Sequence, residues 1–304
     1  MIELTADKDF DRLDVFISES LSLSRTKAQK LIGGKFVKSV PPARLKPSTS
    51  VALGQKFTVK LPPSPNTDTA HLKAEDIPLD VVYEDQYLVV INKPSGLVVH
   101  PAPGNWEHTL VNALIYRYPE MRELDQRGRP GIVHRLDSPT SGLMMVGRTA
   151  EAVPKLQHMF VERTVHKTYL AIAHNTPAKR EGILSGPLDR DPDNFMRMVV
   201  IEGGRPSLTG YKVLWSMNGH SLIECRLFTG RMHQIRAHMS AMGCPLVGDT
   251  MYGAQTFGDT FTGRIYLHSW RLEFTHPFTG ESMKFRQKVP HDFRGMIARI
   301  KLGA

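Results

Sequence analysis

Cysteine is scarce in this sequence, and the scarcity excludes two kinds of scaffold. Only Cys225 and Cys244 occur among the 304 residues, too few for a disulfide framework. They also lack the close paired spacing of a structural zinc site. Because proteins of oxidising compartments commonly rely on disulfides, we expect a protein of the reducing cytoplasm.

Long apolar runs are missing as well. Nowhere do about 18 apolar residues follow one another, so the sequence predicts no membrane span. The opening stretch MIELTADKDFDRLD alternates acidic and apolar residues, and it lacks the basic start and apolar centre of a secretion signal. We therefore expect neither a secretory leader nor a contact with a membrane.

Two stretches approach familiar catalytic motifs but differ in spacing or order. In RMHQIRAH, His233 and His238 are five positions apart, whereas a metal pair on one helical face needs a separation of four. HRLD resembles the kinase His-Arg-Asp loop only in part, and the chain has neither a glycine-rich phosphate loop nor Asp-Phe-Gly. We expect no metal, no cofactor and no kinase activity.

The chain is long and positively charged. Its length exceeds that of a usual single domain, and with 41% hydrophobic residues it can form more than one core. The formal net charge of +9 favours a polyanionic partner such as nucleic acid. A solvated basic face is the alternative explanation of the same charge.

The first sixty residues predict a small module of two helices and two strands. FDRLDVFISES places Leu13, Phe16 and Ile17 on one helical face, and a second, basic helix follows Ser24 as its N-cap and ends at a glycine pair. KFVKSV and VALGQKFTVKL are typical of strands. Because PPSPNTDTAHLKAEDIP has no apolar periodicity, we expect a first domain at 1–61, a linker at 62–78 and a second domain at 79–304.

The second domain alternates short strands with helices. DVVYED and YLVVINK predict a hairpin, GLVVHPAPGN a further strand that ends in a Pro/Gly loop, and residues 109–118 a helix. LMMVGRTAEAVPKLQHMFVERTVHKTYLAIAHN then predicts a strand, a helix and a strand. Since no glycine-rich phosphate turns recur, we expect an α+β fold with a mixed, mainly antiparallel sheet and a central cleft.

Packing does not explain the stretch GIVHRLDSPTSG. Two apolar residues lead into His134, Arg135 and Asp137, and then into a run of turn formers. An aspartate before such a run is ordinarily a turn cap. The motifs elsewhere in the chain favour a second interpretation.

Several motifs occur here in the order found in one enzyme family. HRLDSPTSGL, HKTYLAIA, FTGRMHQIRAHM and GCPLVGDTMYG resemble the motifs of the RluA/RluD family of pseudouridine synthases, over about Val82 to Leu272. NKPSGLVVHPAPGN and RDPDNFMRM fit the members of that family that act on ribosomal RNA and carry an S4 domain. The N-terminal module is similar to that RNA-binding domain.

The resemblance assigns roles in catalysis to particular residues. It implies that Asp137 is the catalytic carboxylate, that Tyr169 packs on the target uracil and helps to move a proton, and that Arg231 pairs with Asp137. An RNA-phosphate contact is the alternative role for Arg231. The reaction moves the ribose from uracil N1 to C5, so a carboxylate that attacks or stabilises the anomeric carbon suffices, without a redox centre.

The resemblance also implies residues that hold the substrate. Arg135 would fill the space left by a uridine flipped out of the RNA. His134 would orient the loop, Lys167 would contact the substrate, and Leu267 would form an apolar wall. Phosphate contacts are expected from the basic residues of the S4-like module, namely Arg25, Lys27, Lys30 and Lys35.

The sequence therefore predicts a monomeric pseudouridine synthase that acts on large-subunit ribosomal RNA, with ribosomal subunit precursors as a candidate partner. Transfer RNA is the alternative substrate. A non-catalytic RNA-binding assembly factor is a second hypothesis, against which the trio of Asp137, Tyr169 and Arg231 argues. A hydrolase that uses Asp137 is a third, and it lacks an evident second acid.

Overall fold

A computed structural model of the chain describes residues 2–21, 23, 25–60, 72–102, 104–124, 129–257 and 263–303. The chain divides into two compact units, Met1–Thr67 and Asp68–Ala304. The predicted N-cap Ser24, the side chain of Lys27 and residues 62–71 of the predicted linker lie outside the described part. Among the helices that are described, none is long and apolar enough to cross a membrane.

The first unit combines a three-stranded antiparallel sheet with two helices. The strands are β1 (Ile2–Thr5), β2 (Val37–Val40) and β3 (Lys56–Val59), in the order β1-β3-β2, and the helices are α1 (Leu13–Ser20) and α2 (Arg25–Gly33). The predicted apolar face of α1 is confirmed, since it packs against residues of α2 and the sheet in one core. The strand β1 was not predicted from the sequence.

Helix α1 also buries a carboxylate, that of Asp14. Arg12 donates to it at 3.0 and 2.9 Å, Gln29 donates at 2.6 Å, and Arg25 lies 3.4 Å away. The Arg12 hydrogen bonds and the Gln29 hydrogen bond outweigh burial and hold the pKa of Asp14 well below its usual range. The contribution of this cluster to stability is therefore present above about pH 4 and is lost as the pH falls further.

The second unit contains a nine-stranded sheet in the order β4-β5-β6-β13-β7-β12-β11-β8, with β14 on β13, and a separate pair β9-β10. Its strands are β4 (Val81–Glu84), β5 (Leu88–Lys93), β6 (Ser141–Gly147), β7 (His166–His174), β8 (Glu181–Ser185), β9 (Leu188–Arg190), β10 (Met198–Val200), β11 (Leu208–Met217), β12 (His220–Leu227), β13 (Leu267–Thr275) and β14 (Ser282–Arg286). Every described strand pair of this sheet is antiparallel except β6 with β13. The prediction of a mixed, mainly antiparallel sheet is confirmed.

In the described part of the second unit, four helices cover the two faces of this sheet. They are α3 (Leu110–Arg117), α4 (Ala152–Val161), α5 (Gln234–Ala241) and α6 (His291–Leu302), with 3₁₀ turns at Pro119–Leu124, Thr250–Tyr252 and Ala254–Phe257. Alternate residues of β7 face opposite sides, so Tyr169 and Ala171 join the core under α3 and α5, whereas Leu170 and Ile172 join the core under α6. Helix α4 packs on β6 in a third cluster.

Two segments near α3 differ from the expectations. The predicted strand at the start of GLVVHPAPGN is wrong, because the described residues there form only isolated bridges, Val98 with Thr109 and Ala102 with Asn105. The described end of the predicted linker is anchored on the second unit, since the Glu75 N–H donates to the Asn112 carbonyl at 3.1 Å and the Asn112 side chain donates to Lys73 O at 2.8 Å.

Strands β6 and β13 form a short parallel pair in the middle of the sheet, and a glycine makes it possible. The paired residues are His268 with Ser141 and Ser269 with Gly142. Gly142 has φ +112°, and a Cβ there would overlap the Ser269 carbonyl oxygen and lie 2.6 Å from its nitrogen. Only a residue without a side chain fits both the backbone angle and the space.

We predict that Gly142→Ala destabilises the second unit strongly. Gly280→Ala is the matched control, because Gly280 has φ +74° but no atom within 4 Å of its Cβ position. The control carries only the conformational penalty of about 1–2 kcal/mol, whereas Gly142→Ala adds steric overlap of about 2 kcal/mol or more.

Urea unfolding followed by tryptophan fluorescence measures the difference, since all three tryptophans, Trp106, Trp215 and Trp270, lie in the second unit. Equal losses in the free energy of unfolding for the two variants would contradict the account of the β6–β13 contact.

Candidate active site

A cleft of about 1080 Å³ opens in the second unit between the loop 133–137, the start of β7 and residues 226–236. Among the described residues that line it, Asp137 is the only carboxylate. The cationic residues of its wall are Arg135, Arg163, Lys167, Arg226, Arg231 and Arg236. A cleft with this charge attracts a polyanion and presents one acid to it.

Asp137 begins the turn that leads into β6. Its carbonyl accepts a hydrogen bond from the Thr140 N–H at 3.0 Å, and the next carbonyl, of Ser138, accepts one from the Gly96 N–H at 2.8 Å. These backbone bonds tie the loop to the segment that follows β5. Backbone hydrogen bonds therefore fix the turn that presents the carboxylate, and no capping bond from the Asp137 side chain is needed for this.

Lys93, at the end of β5, supports the same loop and was not identified from the sequence. Its ammonium donates to the carbonyls of Pro94 and Leu97 at 2.8 Å and of Ser138 at 3.0 Å, which uses all three N–H groups. Burial lowers the pKa of Lys93 to about 7, although the charge of Asp137 acts in the opposite direction. In the sequence Lys93 closes the apolar strand LVVINK, a position that does not distinguish it from any other charged residue at a strand end.

Arg236 makes the ion pair with Asp137. Its Nη1 lies 3.1 Å from Asp137 Oδ2, while its Nε and Nη2 hold Asp249 at 2.7 and 2.9 Å. Arg236 and Asp249 are 4% and 1% exposed, so the contact between these two side chains is almost completely shielded from solvent. Burial opposes the charge of Arg236, but the hydrogen bonds and charges of the two aspartates outweigh it and raise its pKa.

The expectation that Arg231 pairs with Asp137 is therefore wrong. Helix α5 begins at Gln234, so Arg231 lies in the preceding turn, whereas Arg236 lies in the first helical turn and points inward. The Arg231 N–H donates to Gln234 Oε1 at 3.0 Å, and its buried Nε has no hydrogen-bond partner among the described residues. The sequence alone does not show which of two arginines, five positions apart in one motif, pairs with Asp137.

Tyr169 and Leu267 line the cleft, as the sequence suggested, and both are buried. Burial raises the pKa of the Tyr169 phenol well above its usual value, although a hydrogen bond with Ser269 opposes the shift. The hydroxyl therefore stays protonated near neutral pH. It can donate a hydrogen bond there, but it is a poor base.

Three further predicted substrate contacts, His134, Arg135 and Lys167, also line the cleft. His134 Nε2 accepts the Met145 N–H at 2.8 Å and its ring stacks on Phe160, with centroids 4.5 Å apart. Burial and the charge of Lys167 lower the pKa of His134 to about 3, so the ring is neutral, and burial lowers the pKa of Lys167 to about 8. Arg135 is exposed.

The predicted basic residues of the first unit differ in their surroundings. Lys30 and Lys35 are exposed, whereas Arg25 lies beside the buried Asp14. Lys27 lies on α2, and its side chain is outside the described part. No group of three His, Cys, Asp or Glu side chains that could hold a metal occurs in the described ranges.

Comparisons with known proteins agree on one family. The family model "RNA pseudouridylate synthase" matches residues 87–241. The chain is 39% identical, over 99% of its length and 88% of the relative's, to a protein of Nitrosomonas europaea named ribosomal large subunit pseudouridine synthase D. It is 37% identical, over 99% and 98%, to a Bacillus subtilis protein named uncharacterized RNA pseudouridine synthase YlyB.

A solved structure supports the same assignment. "Human RNA Pseudouridylate Synthase Domain Containing 4" superposes with a TM-score of 0.58 at 26% identity, covering 73% of this chain and 92% of the human chain. The sequence and structural comparisons thus coincide with the order of motifs and with the single carboxylate in a cationic cleft. The chain belongs to the RluA/RluD family of RNA pseudouridine synthases, which are isomerases that act on RNA.

Proposed function

We propose that the protein isomerises uridines of large-subunit ribosomal RNA, with Asp137 as its catalytic carboxylate. The observation that carries this proposal is the position of Asp137, the one acid among the described residues of a cleft whose other charged residues are Arg and Lys. The names of relatives that align over nearly the whole chain support the ribosomal substrate. The cationic wall supports an RNA substrate, because phosphates need neutralising charges.

The geometry leaves one oxygen of Asp137 available for the sugar. Arg236 binds Oδ2, and no hydrogen bond from the described residues reaches Oδ1. In the proposed reaction Oδ1 attacks or stabilises the ribose anomeric carbon as its bond to uracil N1 breaks. The released uracil turns, and its C5 bonds to the same carbon while any bond from that carbon to Asp137 breaks. C5 then loses its proton and N1 gains one, so no atom is gained or lost overall.

The surrounding side chains suit a flipped nucleotide. Leu267 and the Tyr169 ring belong to the apolar part of the cleft, on which a uracil can stack. Arg135 is exposed at the same cleft, where its planar guanidinium can occupy the space left in the RNA. Arg231 lines the same cleft and has no ion pair among the described residues, so it is a candidate phosphate contact, which is the alternative role considered from sequence.

The second nearby carboxylate argues against a hydrolase. Asp249 is buried, and Arg236 engages both of its oxygens. A hydrolase with two carboxylates needs the second one to be free to activate water or to act as an acid. Asp249 is instead proposed to hold the arginine that faces Asp137.

We predict that Asp137→Asn lowers the isomerisation rate at least a hundredfold, about 3 kcal/mol, while RNA affinity stays within threefold. Asp193→Asn, at an exposed position, is the control and should behave as wild type. Cells that lack the protein, complemented with each variant, should lose specific pseudouridines of large-subunit RNA only with Asp137→Asn, as shown by mapping across total RNA.

If the pseudouridines that disappear lie in transfer RNA, the proposed substrate is wrong while the chemistry stands. If the purified Asp137→Asn variant retains more than about a hundredth of the wild-type rate, the catalytic role of Asp137 is wrong.

A second prediction compares the two arginines of one motif. Arg236→Lys cannot hold both aspartates, so the single-turnover rate at saturating RNA should fall at least about thirtyfold, with affinity little changed. Arg231→Lys should instead weaken binding about three- to tenfold and leave that rate near wild type. The opposite pattern would return Arg231 to the role expected from sequence.

A third prediction concerns the first unit, which we propose to be an S4-like RNA-binding domain. Lys30→Gln combined with Lys35→Gln should weaken binding and reduce the slope of log affinity against log salt by about 1 for each phosphate that is no longer neutralised. Lys284→Gln, at an exposed position on β14, is the control. An unchanged slope for the double variant would show that these lysines do not meet phosphates.

A further inference from the structure

His233 occupies an unusual position between Asp137 and a tyrosine of the GDTMYG motif. Its Nε2 lies 3.7 Å from Asp137 Oδ2, and its Nδ1 lies 2.9 Å from the hydroxyl of Tyr252. The ring is largely buried in the wall of the cleft. From the sequence, this histidine was considered only as a metal ligand.

The backbone at His233 shows that capping α5 does not explain this residue. His233 is the N-cap of α5 but makes no side-chain capping hydrogen bond, and its φ of 53° is in the left-handed region. Serine, asparagine or aspartate would cap the helix better, and glycine or asparagine would tolerate the angle better. The side chain is turned instead toward Asp137 and Tyr252.

The hydrogen bonds of Tyr252 determine where the ring proton lies. The Met198 N–H donates to the Tyr252 hydroxyl at 2.7 Å, so the hydroxyl proton is free to be donated to His233 Nδ1. Burial raises the pKa of Tyr252 to about 12, so it keeps that proton. A neutral His233 that accepts at Nδ1 carries its own proton on Nε2, on the side of Asp137.

Burial and the nearby arginines keep the His233 ring neutral. Burial lowers the pKa of His233 to about 4, and Arg236, Arg135 and Arg190 act in the same direction, whereas only Asp137 opposes them. The charge of bound RNA would act in the same sense as Asp137. In the free protein at pH 7 the ring is a hydrogen-bond donor and not a cation.

We propose that His233 is a positioning residue for the isomerisation, which Tyr252 fixes in the Nε2–H tautomer so that it donates to Asp137 Oδ2. Arg236 and His233 then act on the same oxygen and leave Oδ1 for the anomeric carbon. The present 3.7 Å exceeds a hydrogen bond, and a closure of about 1 Å on RNA binding completes it. The inference rests on the proposed catalytic role of Asp137.

Two substitutions separate positioning from a structural role. His233→Asn suits the left-handed backbone and can still meet Tyr252, but it is too short to reach Asp137. His233→Gln places an amide N–H near the position of Nε2. We expect kcat to fall about ten- to a hundredfold for His233→Asn with KM within threefold, and to recover to within about fivefold of wild type for His233→Gln.

Tyr252→Phe tests the link through the tautomer. On its own it should lower kcat. Added to His233→Asn, it should lower kcat by less than about twofold further, because each change removes the same donor to Asp137, the Nε2–H of His233.

A measurement without turnover decides the tautomer directly. Nitrogen-15 NMR of the full-length protein labelled in histidine should show His233 neutral at pH 7 with its proton on Nε2. A proton on Nδ1, or full kcat in His233→Asn, would overturn the proposal. If Asp137→Asn proves active, the proposed function fails, and the NMR result still reports whether Tyr252 sets the ring.

Discussion

The arrangement of the active site depends on one guanidinium shared by two carboxylates. Asp249 takes two of the donors of Arg236 in a bidentate contact, which leaves Nη1 aimed at Asp137. Because the arginine is almost fully buried, its charge is poorly screened and its direction matters more than it would at a surface. The first turn of α5 and the 3₁₀ turn after Asp249 must both be in place for this contact to exist.

The same contact answers an electrostatic difficulty of RNA chemistry. A carboxylate beside a polyanion is driven toward its protonated form, unless a fixed cation opposes the field of the phosphates. The cations of the cleft fall into two groups. Arg236 forms ion pairs with Asp137 and Asp249, whereas Arg135 and Arg231 have no described ion pair. RNA can therefore bind to the second group without removing the partner of Asp137.

Local periodicity and the order of the motifs were enough to predict much of the fold and part of the site. The helix with Leu13, Phe16 and Ile17, the hairpin of β4 and β5, and the succession of β6, α4 and β7 all occur as expected. Asp137, Tyr169 and Leu267 do line one cleft. The pairing of Arg231 with Asp137 was wrong, because which arginine meets Asp137 depends on where α5 begins and which way its first turn faces.

Asp249 and Lys93 were missed for a related reason. Both act through partners distant in sequence, and a buried acid or lysine looks in a sequence like any charged residue at the end of a strand or in a turn. His233 was considered for the chemistry of metals, whereas its contacts are with a phenol and a carboxylate. Such pairings come from tertiary structure, which spacing along the chain does not encode.

The parallel contact of β6 with β13 determines the order in which the site is completed. The turn that carries Asp137 leads into β6, and the cation of this carboxylate lies 99 residues further along the chain, on a helix that precedes β13. During synthesis the acid therefore emerges long before the arginine, and Ser141 of β6 meets His268 of β13 only after 127 further residues have been made. A chain that ends before Arg236 has Asp137 without its counterion, so the active site cannot be complete before the fold around it is complete.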